Sequence, residues 1–269
     1  MEIDILPKIE RAQTHMVFIV VPRFNIMTLI TMIETLRIAN YLAPASIYSW
    51  EVASFDGSKI IASNGMTATI KTANDNLQPS EFVFILGSWG TEHYHNKKLT
   101  AWLRKRARAG ERICGVELGS YIVARAGLLD GKLATIHWSW LNGFKENFDR
   151  VEVEESLFTL DRKVMTCSGG LAGVDLMLRL IEEINGSSFS GEIADQMLHH
   201  PIRSATSPQR GTMGRSTETM RPLLREAMTL IENNIEEPLT VPKIANLLGV
   251  SQRQLERQFK KNVGCTVVQ

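Results

Sequence analysis

Three short runs rich in apolar residues constrain the fold of this 269-residue chain more than any other feature. They are residues 16–21 (MVFIVV), 81–86 (EFVFIL) and 113–116 (ICGV). Strands that are apolar on both faces are typical of parallel sheets covered by helices on each side. Helical periodicity in the intervening residues 26–41 and 99–109 fits that arrangement. We therefore predict an α/β fold with an open, mostly parallel sheet flanked by helices.

Glu117 lies on the sharp turn between the strand at residues 113–116 and a helix predicted for residues 119–126. A side chain on a strand-to-helix turn is lifted out of the sheet, and the backbone N–H groups that follow it face the same space. Such a turn can hold a nucleophile or a ligand. Because the residue is a glutamate, and because Ser120 is too far into the helix to replace it, the sequence favours a ligand site over catalysis.

Polar and aromatic residues follow several predicted strands, at the edge of the sheet where ligands bind in open α/β folds. They suit a small cationic or zwitterionic ligand, because indole faces attract cations, a carboxylate supplies the counter-charge and backbone amides bind a carboxylate. The alternative is that they are ordinary turn, structural and core residues. The sequence predicts no cofactor and no metal site. The predicted ligand-binding residues are Phe24, Asn25, Gly87, Ser88, Trp89, Glu117, Leu118, His137 and Trp138.

Composition limits the partners and the compartment. With 30 Lys and Arg against 29 Asp and Glu, the net charge is +1, so a nucleic-acid surface must be local. The three cysteines, Cys114, Cys167 and Cys265, are widely spaced and form no CxxC pair, which favours reduced thiols. Cys114 is expected in the core, and Cys167 either approaches the pocket or is buried, with burial favoured. No apolar run approaches membrane-spanning length, so we expect a cytoplasmic protein with no membrane partner.

The polar, Gly- and Pro-containing stretch after residue 202 marks a domain boundary. We predict a ligand-sensing domain at residues 1–202, a linker at 203–219 and a small all-α domain at 220–269. A helix is expected at residues 222–235, followed by a helix capped by Thr240. A turn at Gly249 then leads to a second helix, whose Ser251 and Gln254 have capping-box spacing. This pattern is typical of a helix-turn-helix.

The last of these helices is basic although the chain is neutral. Arg253, Glu256 and Arg257 lie on the face opposite Leu255 and Phe259, at spacings that reach successive bases in a major groove. Lysines one turn further on suit phosphate contacts. The alternative is an ordinary solvated helix face. The predicted DNA-binding residues are Ser251, Gln252, Arg253, Glu256, Arg257, Lys260 and Lys261.

Four stretches resemble a known family. They are residues 62–65 (ASNG), 119–138 (GSYIVARAGLLDGKLATIHW), 166–181 (TCSGGLAGVDLMLRLI) and 239–265 (LTVPKIANLLGVSQRQLERQFKKNVGC). Through them, nearly the whole chain resembles a GlxA-type regulator of the AraC/XylS class, with a PfpI-like (glutamine amidotransferase-like) domain before a helix-turn-helix. The resemblance implies a flavodoxin-like, PfpI-type sheet, a homodimer, sequence-specific DNA as a partner and an effector such as betaine, carnitine or arginine.

By this resemblance, Glu117 stands where PfpI-like enzymes place a nucleophilic cysteine, Gly87 and Ser88 where they place oxyanion amides, and His137 where they place a histidine. A glutamate at the nucleophile position implies a sensor rather than an enzyme. AraC-type DNA-binding domains carry two helix-turn-helix units and this sequence shows one, so we expect a truncated domain that binds DNA weakly.

The resulting hypothesis is a ligand-responsive transcription regulator that senses an amino-acid-like or quaternary-amine metabolite. One alternative is a PfpI-like hydrolase or amidotransferase-like enzyme that uses Cys167 as its nucleophile. The other is a dimerising partner that does not bind DNA.

Overall fold

A computed structural model describes residues 14–73, 77–210, 222–232, 234, 239–262 and 267. The chain divides into two compact units, Met1–Gln209 and Arg210–Gln269. None of the helices within the described ranges is both long enough and apolar enough to cross a bilayer.

The strands of the first unit confirm the predicted open sheet. They are β1 (Thr14–Val20), β2 (Tyr48–Ser54), β3 (Lys59–Ile61), β4 (Thr67–Thr69), β5 (Lys71–Thr72), β6 (Phe82–Gly87), β7 (Arg112–Glu117), β8 (Leu133–Ala134), β9 (Glu152–Val153), β10 (Phe158–Thr159) and β11 (Val164–Cys167). Seven of them form one sheet in the order β10-β11-β7-β6-β1-β2-β5. The pairing is parallel except between β10 and β11, which form an antiparallel hairpin.

Helices cover both faces of this sheet. They are α1 (Ile26–Leu42), α2 (Lys97–Arg108), α3 (Gly119–Arg125), α4 (Leu141–Asn147), α5 (Ala172–Asn185) and α6 (Ser187–Gln196), with short 3₁₀ turns at Thr91–His93 and Trp138–Trp140. Alternate residues of β1 serve the two faces: Met16 and Phe18 pack with α1, α5 and α6, whereas Val17 and Ile19 pack with α2, α3 and α4. This double burial explains why the strand is continuously apolar.

The last helix of the first unit, α6, ends at Gln196. Two residues further on, Leu198 adopts a left-handed backbone conformation (φ 53°) that a helix does not accommodate. Strand β9 pairs with β8 in a separate two-stranded sheet. The turn at residues 63–65 joins β3 to β4, which also form a separate pair.

The second unit is a small helical unit with its own core, as predicted. Its helices are α7 (Pro222–Glu232), α8 (Val241–Leu247) and α9 (Gln252–Asn262). The turn between α8 and α9 contains Gly249 at a φ of 66°, and the Ser251 hydroxyl accepts a hydrogen bond from the Gln254 N–H at 3.2 Å, which confirms the predicted cap. Thr240 occupies the N-cap position of α8, although its side chain makes no capping hydrogen bond to the described residues. The core residues are Leu224, Ala227, Ile244, Ala245, Leu255 and Phe259.

Candidate functional site

The elbow predicted at Glu117 is present and strained. Glu117 has a φ of 54°, a left-handed conformation that is uncommon for a residue with a side chain. Glycines on both sides make the tight turn possible. A Cβ on Gly119 would lie 1.9 Å from the Ile85 carbonyl oxygen, and one on Gly115 would lie 2.7 Å from the Ser120 Cα. The strand and the helix therefore approach so closely that the side chain of Glu117 is fixed at the apex.

The Glu117 carboxyl is buried, with 6% of the residue exposed. Its Oε1 accepts a hydrogen bond from the Ser88 hydroxyl at 2.7 Å, and its Oε2 has no hydrogen-bond partner among the described residues. Gly169 covers this side, because a Cβ there would lie 2.9 Å from Oε2. Burial raises the pKa of Glu117 and is the largest effect, whereas the side chains of Ser88 and Asn25 lower that pKa. A cation nearby would favour the ionised form.

A cavity of about 480 Å³ opens at this elbow, a size that is common for small-molecule sites. Its walls include six of the predicted ligand-binding residues. The indoles of Trp89 and Trp138 are 58% and 43% exposed, so neither is a core residue. The six residues are Asn25, Ser88, Trp89, Glu117, His137 and Trp138.

Three predicted residues are absent from the cavity wall that the described residues form. Phe24 is fully buried in the core on the α1 side of the sheet. Gly87 and Leu118 are joined by the sheet ladder, because the Leu118 N–H donates to the Gly87 carbonyl at 3.1 Å. This amide is therefore not free to bind a ligand carboxylate, contrary to the prediction. The side chain of Leu118 packs into the core on the α3 side.

His137 lies at the start of the turn that carries Trp138. Its Nδ1 accepts a hydrogen bond from the Ser139 N–H at 3.4 Å, and burial lowers the pKa of the imidazole. The ring is thus neutral near pH 7. Its Nδ1 also lies 2.8 Å from the Ser139 hydroxyl oxygen. The His137 and Trp138 rings lie 5.4 Å apart, so the imidazole supports one aromatic wall of the cavity.

Part of the wall comes from residues 203–209, which were predicted to begin the linker. We call these residues the strap. Arg203 and Gln209 line the cavity, and Arg203 is paired with Asp175, a fully buried carboxylate in the first turn of α5. The sequence held one signal for this contact, since an aspartate in an otherwise apolar helix segment needs a cationic partner. The remaining wall residues that the sequence did not indicate are Met27, Ser63, Leu157, Ser168, Gly169, Gly170, Leu171 and Ala172.

The second unit places the predicted DNA-binding residues on one helix face. Leu255 and Phe259 are buried in the core, and the side chains on the other face are exposed. The Gln252 amide donates to the Glu256 carboxylate at 2.9 Å, which holds this acid in place along the helix. The exposed residues are Ser251, Gln252, Arg253, Glu256, Arg257 and Lys260, whereas the side chain of Lys261 lies outside the described part.

Comparisons with known proteins cover both units. Residues 16–183 match the DJ-1/PfpI family. The chain is 35% identical to the HTH-type transcriptional regulator GbdR of Pseudomonas aeruginosa over 93% of its own length and 68% of GbdR. It is 32% identical to the HTH-type transcriptional regulator GlxA of Rhizobium meliloti over 92% of its length and 76% of GlxA. The chain belongs to the GlxA-type transcriptional regulators.

The fold comparison agrees. A crystal structure of an AraC family transcriptional regulator from Pseudomonas putida has a TM-score of 0.64 and 21% sequence identity, and covers 68% of this chain and 98% of that chain. In this GlxA-type regulator, the described cysteines are remote from solvent. Cys114 and Cys167 are fully buried, and burial raises the pKa of Cys167 to about 12 and that of Cys114 well above its usual range. Cys265 lies outside the described residues.

Proposed function

We propose that this GlxA-type regulator senses a small cationic metabolite in the Glu117 cavity and responds through a DNA-binding second unit, and that it is not an enzyme. The observation that carries the proposal is the buried Glu117 carboxyl in the wall of a cavity that is also lined by two exposed indoles. A buried carboxylate oxygen without a hydrogen-bond partner is costly, and a positive charge in the cavity offsets that cost. An indole adds about 0.5–2 kcal/mol for a cation over its face. Amino-acid-like and quaternary-amine metabolites both carry such a charge.

The cysteines support a sensor over a thiol enzyme. A thiol acts as a nucleophile only as its thiolate, and burial keeps Cys114 and Cys167 protonated at neutral pH. At the position where PfpI-like enzymes carry a cysteine, the apex of the elbow is occupied by Glu117. The carboxyl of Glu117 is better suited to electrostatic attraction than to attack on a carbonyl carbon.

The second unit is the DNA-binding part of the proposal. Arg253, Glu256 and Arg257 would contact base edges, and Lys260 would contact phosphate. A homodimer would present two such helices, and linking them would raise the affinity for paired half-sites through effective concentration. In this proposal the first unit senses the ligand and the second unit binds DNA. The protein must therefore share a compartment with DNA, which is the cytoplasm of a bacterial cell.

A thermal-shift screen with amino acids, betaines, carnitine and polyamines would find the ligand class, and matched ligand pairs would test the role of charge by titration calorimetry. Glycine betaine is compared with 3,3-dimethylbutanoate, and L-arginine with L-citrulline. The members of each pair have similar shapes, but only the first carries the positive charge at that position. The member that carries the extra charge should bind at least ten-fold more tightly, a difference of about 1.4 kcal/mol.

Glu117→Gln should remove this preference, because the amide keeps the shape of the side chain without its charge. Glu192→Gln, an equivalent change at an exposed position of α6, is the matched control and should bind like the wild type. Equal binding of the charged and neutral members of both pairs would contradict a cation site. So would a Glu117→Gln variant that retains the preference.

A further inference from the structure

We propose that the strap transmits the state of the cavity to the second unit, by exchanging between a seated position on the cavity wall and a released one. A bound ligand favours the seated position. The inference rests on the proposed function, since it requires a ligand in the Glu117 cavity. Three sets of contacts carry it, one at each end of the strap and one in the middle.

The start of the strap is fixed by charge. Asp175 Oδ2 accepts from Arg203 Nη2 at 2.6 Å and from Nε at 3.0 Å, and Asp175 Oδ1 accepts from the Arg203 main-chain N–H at 2.8 Å. The same Oδ1 lies 2.9 Å from His199 Nε2. Because the carboxylate is fully buried and these bonds are charge-assisted, this end is the firm anchor.

The middle of the strap is joined to the cavity through one residue. The Leu157 N–H donates to the Ala205 carbonyl at 2.8 Å, and the Leu157 carbonyl accepts from the Ser168 N–H at 2.8 Å. Leu157 and Ser168 both line the cavity. Because Leu157 itself lines the cavity, a single backbone hydrogen bond joins the cavity wall to the strap.

The end of the strap is held by neutral contacts to the turn that carries His137 and Trp138. Gln209 Oε1 accepts from the Trp138 N–H at 2.7 Å. Its Nε2 lies 2.7 Å from the Ile136 carbonyl, 2.9 Å from the Ser156 carbonyl and 3.1 Å from the Thr135 hydroxyl. These bonds carry no charge and Gln209 is only half-buried, so release begins at this end.

Release at Gln209 changes the reach of the second unit, which begins at the next residue, Arg210. If Arg203 stays anchored, release adds residues 204–209 to the length of chain between the last fixed residue and the second unit, up to about 20 Å when extended. A longer connection lowers the effective concentration of one DNA-binding unit at a neighbouring half-site. A ligand that touches Trp138, Gln209 and Arg203 together binds the seated strap more tightly than the released one, and so shifts the equilibrium.

Amide hydrogen exchange measured by NMR on the full chain shows directly whether the strap is seated or released. The reporter is the Leu157 N–H, whose acceptor Ala205 belongs to the strap. The Ser168 N–H is the internal control, because its acceptor belongs to the body of the first unit. In Gln209→Glu a carboxylate oxygen replaces Nε2 opposite the three acceptors, and exchange at Leu157 should become at least ten-fold faster while exchange at Ser168 is unchanged.

Nitrogen-15 relaxation of the second unit reads the consequence. The Leu248 and Val250 amides, which are bonded within that unit, should report a shorter rotational correlation time in Gln209→Glu than in the wild type. Gln196→Ala, at an exposed position in the last turn of α6, is the control and should match the wild type. Unchanged exchange at Leu157, or faster exchange without a change in the second unit, would overturn the proposal.

Ligand addition separates this proposal from the proposed function. Glycine betaine and L-arginine are the probes, and one that binds only with Glu117 intact should slow exchange at Leu157 in the wild type at least ten-fold. By reciprocity its affinity should fall in Gln209→Glu. A probe that binds through Glu117 yet leaves Leu157 exchange unchanged overturns the coupling alone. If neither probe nor any ligand from the screen needs Glu117 for binding, the proposed function is refuted. The measurements on the ligand-free variants then still decide whether release of the strap lengthens the connection to the second unit.

Discussion

Replacing Asp175 with asparagine tests the anchor on which the strap depends. The side chain of Asp175 is fully buried, and its two oxygens serve His199 and Arg203 together. Asparagine preserves the shape, but it lacks the charge and presents an NH₂ group where an acceptor is needed. The guanidinium of Arg203 is then left without its counter-ion beside an apolar core.

The size of the loss follows from the burial of the two partners. Removing one partner of a buried ion pair costs about 3–5 kcal/mol. Because the Arg203 side chain is 29% exposed, water compensates in part, and we expect the lower end of that range, about 3 kcal/mol. For a domain of this size 1 kcal/mol corresponds to about 2–4 °C, so the melting temperature should fall by about 6–12 °C.

Urea unfolding followed by tryptophan fluorescence measures this loss in the first unit alone, because all five tryptophans lie there. Glu182→Gln is the control on the same helix. Its salt bridge to Arg179 at 3.0 Å is about 40% exposed on both sides, so the expected change is below about 0.5 kcal/mol. A loss under about 1 kcal/mol for Asp175→Asn, or equal losses for the two variants, would refute the anchor.

Four further predictions follow from particular side chains. Burial raises the pKa of Glu117 in the folded protein above its ordinary value of 4.5, so the folded protein holds this proton more tightly than the unfolded chain does. The resulting stabilisation is complete below pH 4.5 and is lost as the pH rises through the folded pKa. In urea titrations, the wild type should therefore lose stability relative to Glu117→Gln over that interval. Gly119→Ala should destabilise the first unit by about 3 kcal/mol or more, because its Cβ would overlap a main-chain carbonyl of β6. The control is Gly191→Ala, in a helix where no described atom lies within 4 Å of the new Cβ, and it should stabilise the unit by about 0.5–1 kcal/mol. Equal effects of the two changes in thermal melts would contradict the close approach at Gly119. Cys167, with a pKa of about 12, should react with a disulfide reagent at pH 8 only as fast as the unit unfolds, and rapid labelling of the native chain would contradict its burial. Arg257→Ala should weaken binding to a selected DNA site by about 1–3 kcal/mol and relax specificity at one position in a gel-shift titration, and unchanged binding would remove it from the base-contacting set.

The architecture of the first unit could be predicted from the sequence, because a strand that is buried on both faces consists of consecutive apolar residues. Residues 16–21 and 82–86 are apolar without alternation, as expected for strands of a sheet with helices on each side. The elbow was readable because Glu117 separates an apolar run from a glycine that opens a helix. Neither inference needed a long-range contact.

The strap was not readable for the opposite reason. Residues 203–209 are polar and contain proline and serine, which are also the residues of a linker. Their position depends on side-chain hydrogen bonds to residues about 50–75 positions away, such as those from Gln209 to Thr135 and Ser156. Sequence spacing carries no information about such contacts, and the buried charge of Asp175 was the single local indication.

The Leu118 amide shows a second limit. The sequence places this N–H after the apex residue, where it would face the ligand space. Strand register decides otherwise, because the pairing of Gly87 with Glu117 extends the β6–β7 ladder by one further bond. Which amides remain available at the end of a parallel sheet is set by the neighbouring strand.

The short strands at the borders of the sheet bear on self-association. β5 and β10, the two outer strands, have only two residues each, and Lys71 of β5 is paired with Glu51. Short edge strands, and a charged residue such as Lys71 on one of them, resist the addition of strands from other chains. Next to β10, the Leu157 N–H is occupied by the Ala205 carbonyl. A released strap would uncover this donor at the edge of an apolar sheet, so the proposed movement would also bring the chain closer to aggregation.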